Sequence, residues 1–258
     1  MYATNHPNGF SLELARDLAV NASVAYETEP MFIGSDAIVE DALLDVRAVI
    51  HRFDHRTVLA FRGTTSLANW LLDLDVIKKP LSCGVMVHAG FLKAADALLP
   101  RIINELLPAG ADRASLKPIQ ITGHSLGGAL ASLVALFLQR EGWPVQAVYT
   151  FASPRVGNPA WRKTYNDSLG EKSYRVIAEG DAVPLVPGVL DSYRHVGQEI
   201  LLRRDGRVYA CPPHWWELLC DSVDAARALQ SGDVDFLVRY HSIDKDYLTL
   251  LNRACHRS

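Results

Sequence analysis

The chain has 258 residues, 49% hydrophobic and 21% charged, whereas soluble globular domains typically carry about 45–50% apolar and about 25% charged residues. Its 26 Lys plus Arg against 29 Asp plus Glu give a formal net charge of −3, which excludes a general nucleic-acid binder built on a basic excess. Single α/β domains reach about 250 residues, so length alone permits one domain with a substantial core or two smaller ones.

Residues 1–10 contain no basic cluster followed by an apolar stretch, so no secretory leader is visible in them. A cytoplasmic chain is the default expectation, with a leaderless or already trimmed secreted chain as the alternative. Residues 11–26 set Leu14, Leu18, Ala22 and Ala25 at helical spacing behind Ser11, a favourable N-cap, and predict a helix. Residues 46–52 and 57–61 are β-rich runs joined by the polar segment 51–56 and predict a hairpin. Further strands are expected at 117–122, 145–151, 173–178 and 193–201, with helices at 90–107 and 126–140. That alternation predicts an α/β fold, a mostly parallel central sheet with helices on both faces. With no internal repeat, low-complexity tract or long linker, a single domain over 1–258 is expected.

The most apolar helix, near 126–138, is interrupted by Gly127, Gly128 and Ser132 and falls short of the about 18 continuous apolar residues of a membrane span. Cys83, Cys211, Cys220 and Cys255 lack the short paired spacing of a zinc site. They are too few to frame a chain of this length, although one or two disulfides are permitted.

Residues 118–129 read Pro-Ile-Gln-Ile-Thr-Gly-His-Ser-Leu-Gly-Gly-Ala, a strand running through Gly123-His-Ser125-Leu-Gly127 directly into a helix. That is the context of a nucleophile elbow. A serine on such a strained turn needs neighbours without side chains two positions away, which Gly123 and Gly127 supply. The turn also directs the first helical N–H groups at a reacting carbon. A bare GxSxG is a weak signal, arising by accident roughly 0.1 times in a chain of this length, but Gly128, the β-run and the helix strengthen it. The bland reading is a glycine-rich turn packing a helix on a sheet. A phosphate-cradling loop is disfavoured, since no Lys follows the glycines and GxGxxG order is absent.

A nucleophilic serine needs a base and an orienting acid, which in α/β-hydrolase order follow it, acid first. The histidines after Ser125 are His195, His214, His241 and His256. His256 is third from the end of the sequence, where fraying is expected, His214 sits among Pro212, Pro213, Trp215 and Trp216, and His195 falls in an expected strand, where a structural role is the bland reading. His241 lies between an apolar run and Ser242-Ile-Asp, a position suited to a catalytic loop. Asp181 follows the 173–178 strand at a carboxyl end, where open α/β sheets assemble their sites. Position favours it over Asp167, Asp191 and Asp205, against a bland role as a turn or cap aspartate.

Together with Phe61-Arg-Gly-Thr64, Asn69-Trp70, Val87-His-Ala-Gly-Phe91, the Phe151-Ala-Ser-Pro-Arg-Val-Gly-Asn-Pro159 run, Gly180-Asp-Ala-Val-Pro184, His195-Val-Gly197 and His241-Ser-Ile-Asp244, these segments run in order over residues 57–247. The set resembles the class 3, fungal-type triacylglycerol lipase family of the α/β-hydrolases. The resemblance implies Ser125 as nucleophile, Asp181 as acid, His241 as base, and Thr64 and Leu126 as oxyanion donors, with His195 structural. It implies a short lid helix over about 65–74 with Leu67, Trp70 and Leu71 on its apolar face, opening on a lipid–water interface, and Tyr26 and Val183 lining the acyl pocket. No metal or organic cofactor is implied; the partner is a lipid or ester substrate at a transient interface, with no nucleic acid and no transmembrane segment. A phospholipase, a soluble-ester (feruloyl-type) esterase and a catalytically silent hydrolase-fold binding module remain alternatives, and the oligomeric state is open. Residues 203–231 match nothing in the family pattern.

Overall fold

The computed structural model describes residues 9–27, 35–64, 66, 70, 76–107, 116–188, 192–210, 231, 233 and 238–257. Helix α1 (Leu12–Val24) begins where the Ser11 side chain accepts the Leu14 N–H at 3.1 Å, satisfying one of the donors a helix start leaves over. It buries Ala15, Leu18, Ala19 and Ala22. Strands β1 (Ser35–Asp41), β2 (Val46–Arg52) and β3 (Thr57–Phe61) form an antiparallel run.

Beyond them come the small hairpin β4 (Lys78–Ser82) and β5 (Val85–His88), then α2 (Ala89–Leu106), β6 (Ile119–His124), α3 (Leu126–Arg140), β7 (Val145–Phe151), α4 (Pro159–Leu169) and β8 (Ser173–Ala178). The last elements are β9 (Gln198–Leu202), β10 (Val208–Tyr209), a π-helical turn Ile243–Leu248 and α5 (Thr249–Cys255). The main sheet has the order β1-β2-β3-β6-β7-β8-β9-β10, parallel from β3 to β9. Its two faces follow the period-2 alternation of a strand. Leu59, Phe61 and Val148 pack with α2, α3 and α4, while Val58, Tyr149 and Phe151 pack with α1 and α5.

The expected α/β architecture is the one found, with differences at element ends. The strand expected at 117–122 runs from Ile119 to His124, because Pro118 has no N–H to give a ladder. Its end pairs Gly123 with Thr150 and His124 with Phe151, so the strand delivers the serine turn directly. The strand expected at 193–201 is Gln198–Leu202, since Gly197 at φ +71° breaks the extended run. His195 therefore precedes the strand rather than lying in it. Strands β1, β4, β5 and β10 were not expected. Among the described residues, no helix is long and apolar enough to cross a membrane. Cys83 is an exposed free thiol and Cys255 is half-buried, and Cys211 and Cys220 lie outside the described residues.

Candidate active site

Ser125 joins β6 to α3 with φ +59° and ψ −129°, a left-handed conformation that costs a non-glycine residue energy and is held only by its surroundings. Those surroundings are backbone. A Cβ on Gly123 would land on the Gly127 carbonyl, and one on Gly127 on the Phe61 carbonyl, so the strand, the turn and α3 close only because both positions are glycine. The Ser125 N–H donates to Phe151 O, and Ser125 O accepts the Gly128 N–H, each at 2.9 Å. Leu126 is the first residue of α3, and its N–H lies outside the intrahelical ladder.

Asp181 follows β8 with its side chain fully buried. A buried carboxylate requires donors to offset its lost hydration, and several converge on it. His241 Nδ1 lies 3.0 Å from each oxygen, the Val183 N–H donates to Oδ1 at 3.0 Å, and the Tyr247 hydroxyl donates to Oδ2 at 2.6 Å. Burial, and next the charge of Asp181, push the Tyr247 phenol well above its ordinary pKa, which keeps it a donor. Because the carboxylate accepts, the proton of a neutral His241 ring sits on Nδ1, leaving Nε2 as a base.

His241 Nε2 and Ser125 Oγ are both buried, and neither has a hydrogen-bond partner among the described residues. Both residues line a cavity of about 350 Å³ whose described walls also include Tyr26, Thr64, His124 and Asp244. Thr64 is half-buried there, and its Oγ1 accepts the Ser66 N–H at 3.2 Å. Polar atoms orphaned in a concave site are the ordinary mark of chemistry waiting for a ligand.

The other candidates stand elsewhere. His195 is half-buried, and its Nε2 donates to Pro184 O at 2.7 Å, bracing the loop that carries Asp181. Burial, then Arg175 and Arg155, hold its pKa well below the usual value, so it stays neutral. His256 is exposed at the end of α5. Asp167 pairs with Lys163, and Asp205 with Arg207, at the surface. His214, Asp191, Leu67 and Leu71 lie outside the described residues. Trp70 is half-buried and stacks on Phe91 with centroids 6.0 Å apart.

Val183, expected to line the acyl pocket, is buried at 1% exposure and is not among the described residues lining the cavity. The 3-10 turn Val183–Leu185 turns its side chain inward, so its contribution is the N–H on Asp181. Tyr247 and His124 were missed by sequence reasoning. His124 fills the variable position of GxSxG, and Tyr247 follows the base within one short element; neither spacing by itself signals a role.

A family model described as Lipase (class 3) matches residues 58–190, just over half of the chain. The secreted mono- and diacylglycerol lipase 1 of Fusarium solani is 35% identical over 147 residues, covering 56% of this chain and 43% of that protein. The lipase of Rhizomucor miehei is 36% identical over 165 residues, covering 61% and 45%. This chain thus spans about half the length of the curated relatives it matches. Among solved structures, the lipase of Rhizopus microsporus var. chinensis superposes with a TM-score of 0.66 at 26% identity, over 74% of each chain. The matched segment holds the serine elbow, the Thr64 loop and Asp181, and the solved lipase superposes over 74% of the chain: the chain belongs to the class 3 lipase family and has the α/β-hydrolase fold.

Proposed function

We propose that the chain is a serine carboxylic ester hydrolase of the lipase type, acting on acylglycerol esters at a lipid–water interface. The observation that carries this reading is the pair of orphaned atoms, Ser125 Oγ and His241 Nε2, on one cavity, with Asp181 fixing the imidazole through Nδ1. The fungal relatives, which are lipases by name, agree with it.

In the proposed reaction, Ser125 Oγ attacks the ester carbonyl carbon as His241 Nε2 takes its proton. The carbonyl oxygen becomes an oxyanion held by the Leu126 N–H and by the Thr64 N–H and hydroxyl. His241 returns the proton to the leaving alcohol, and the C–O bond of the ester breaks. Water, deprotonated by the same imidazole, then attacks the acyl-enzyme and releases the carboxylic acid and free Ser125. Asp181 stays ionised throughout and stabilises the transient imidazolium.

Residues 65–74 are proposed as a lid whose apolar side chains exchange protein contact for lipid when it opens, so binding to an interface favours the open state. The deciding experiment compares wild type with Ser125→Ala on a tributyrin emulsion, a p-nitrophenyl ester chain-length series and phosphatidylcholine vesicles. Wild type is expected to hydrolyse the emulsion best, with a rise above the substrate's solubility limit, and Ser125→Ala to lose turnover and labelling by a serine-directed phosphonate. Full ester hydrolysis by Ser125→Ala would overturn the reading; preference for phosphatidylcholine would reassign the substrate.

A further inference from the structure

We propose that Tyr26 and His124 are positioning residues that couple the three catalytic loops through one chain of hydrogen bonds. The inference rests on the hydrolase reading above and adds to it residues outside the triad and the oxyanion pair.

The atoms leave a single assignment. His124 Nε2 lies 2.7 Å from the main-chain oxygen of His241, and a carbonyl only accepts, so this nitrogen carries the hydrogen. His124 is fully buried, and burial, reinforced by the neighbouring His241, holds its pKa well below the ordinary value. A neutral ring has one N–H, so Nδ1 is bare and accepts the Tyr26 hydroxyl, 2.8 Å away. Tyr26 in turn stays protonated, since its burial raises its pKa far above the usual range, and its hydroxyl lies against the Gly63 backbone. The chain therefore runs from the Tyr26 O–H, packed on Gly63, through His124 to the His241 carbonyl.

Each grip falls at or next to a working residue. Gly63 precedes Thr64, His124 precedes Ser125, and the accepting carbonyl belongs to His241 itself. The His124 and His241 rings also touch, with centroids 4.5 Å apart. Tyr26 is anchored from the opposite side, because Ser23 on α1 donates to Asp244 at 2.5 Å and Thr122 donates to Leu18 O at 3.2 Å. A side chain on Gly63 would overlap the Tyr26 hydroxyl, so loop and phenol are in direct contact. The N-terminal helix thus braces the distances among nucleophile, base and oxyanion loop, for which displacements of about 1 Å can cost about 100-fold in rate.

The test uses Tyr26→Phe, His124→Leu, His124→Gln and the double variant Tyr26→Phe/His124→Leu, assayed on a p-nitrophenyl ester below its solubility limit. Tyr26→Phe and His124→Leu are each expected to lower kcat about 10- to 100-fold with KM within about 2-fold, as loss of orientation rather than of binding requires. Phosphonate labelling of Ser125 should slow in parallel. His124→Gln, which restores a donor toward the His241 carbonyl, should recover part of the rate. The double variant should be no worse than the poorer single, because both break one chain. Wild-type kcat in folded Tyr26→Phe, or losses that multiply in the double variant, would overturn the proposal. If His124→Leu does not fold, Tyr26→Phe decides, since it removes one oxygen and keeps the ring. Loss of turnover in Ser125→Ala beside normal Tyr26→Phe defeats this inference alone, whereas full turnover in Ser125→Ala defeats the hydrolase reading.

Discussion

Tyr247 donates its hydroxyl proton to Asp181 Oδ2 across 2.6 Å, on the carboxylate that also holds His241 Nδ1. The phenol sits in the π-helical turn directly after His241, fully buried. Asp181 and His241 are therefore tied twice, once side chain to side chain and once through the turn. Tyr247→Phe leaves Asp181 one donor short in a dry environment, a loss of about 1–3 kcal/mol. Denaturant titration should show that drop, accompanied by a fall in kcat as the imidazole loses its fixed partner. Unchanged stability and rate would mean the carboxylate finds another donor.

The proposed oxyanion pair, Thr64 and Leu126, has a sharper kinetic signature. Thr64→Ala removes the hydroxyl that lines the cavity beside Ser125, and losing one oxyanion donor typically costs about 100- to 1000-fold in kcat. KM should hardly move, because the interaction strengthens only in the transition state. A loss confined to KM would assign Thr64 to substrate binding instead.

Folding stability should depend on His124, which is buried, and His195, which is half-buried. Burial holds His124 and His195 neutral with depressed pKa values, His124 further through His241 and His195 through Arg175 and Arg155. In the unfolded chain each titrates near about 6.5. Above that pH both states are neutral and the two histidines contribute no slope. As pH falls from about 6.5 toward the depressed folded values, the unfolded chain gains protons the folded chain refuses, and stability is lost by up to about 1.4 kcal/mol per pH unit for each. Denaturant midpoints between about pH 5 and 8 should show this limb. His195→Gln, which retains a donor for Pro184 O, should reduce its slope by one proton; an unaltered slope would show that His195 does not supply it.

Trp70 rests on the Phe91 ring at an interplanar angle of 22°. If residues 65–74 are the lid, Trp70→Ala removes both its closed-state stack and an apolar anchor for lipid. The ratio of emulsion rate to soluble-ester rate is then expected to fall several-fold, within the about 0.5–1.5 kcal/mol that aromatic pairs contribute beyond burial. A ratio equal to wild type would place interfacial activation elsewhere.

What the sequence made legible follows from how local each signal is. The turn at Ser125 announces itself because Gly123, Gly127 and the flanking period change are dictated by contacts within a few residues and one neighbouring strand. Strands β2, β3, β7 and β8 are apolar through most of their length and were bounded correctly. The edge strand β1 carries Asp36, Glu40 and Asp41, so its pairing with β2 comes from tertiary context that no local pattern records. The same holds for Tyr26 and His124, whose contact spans the chain from α1 to the elbow. Val183 is expected at the pocket only through the family resemblance, and the local backbone turn instead buries its side chain away from the described cavity lining.

The contact between Gly127 and the Phe61 carbonyl has a consequence for how the proposed ester-hydrolysing site could diversify. It presses the start of α3 onto the end of β3, so the span between the Leu126 amide and the Thr64 loop is a main-chain dimension. Exchanging side chains around the cavity rim leaves that span untouched. Acyl preference can therefore drift without retuning the grip on the tetrahedral intermediate, making selectivity and chemical power separately adjustable in this scaffold.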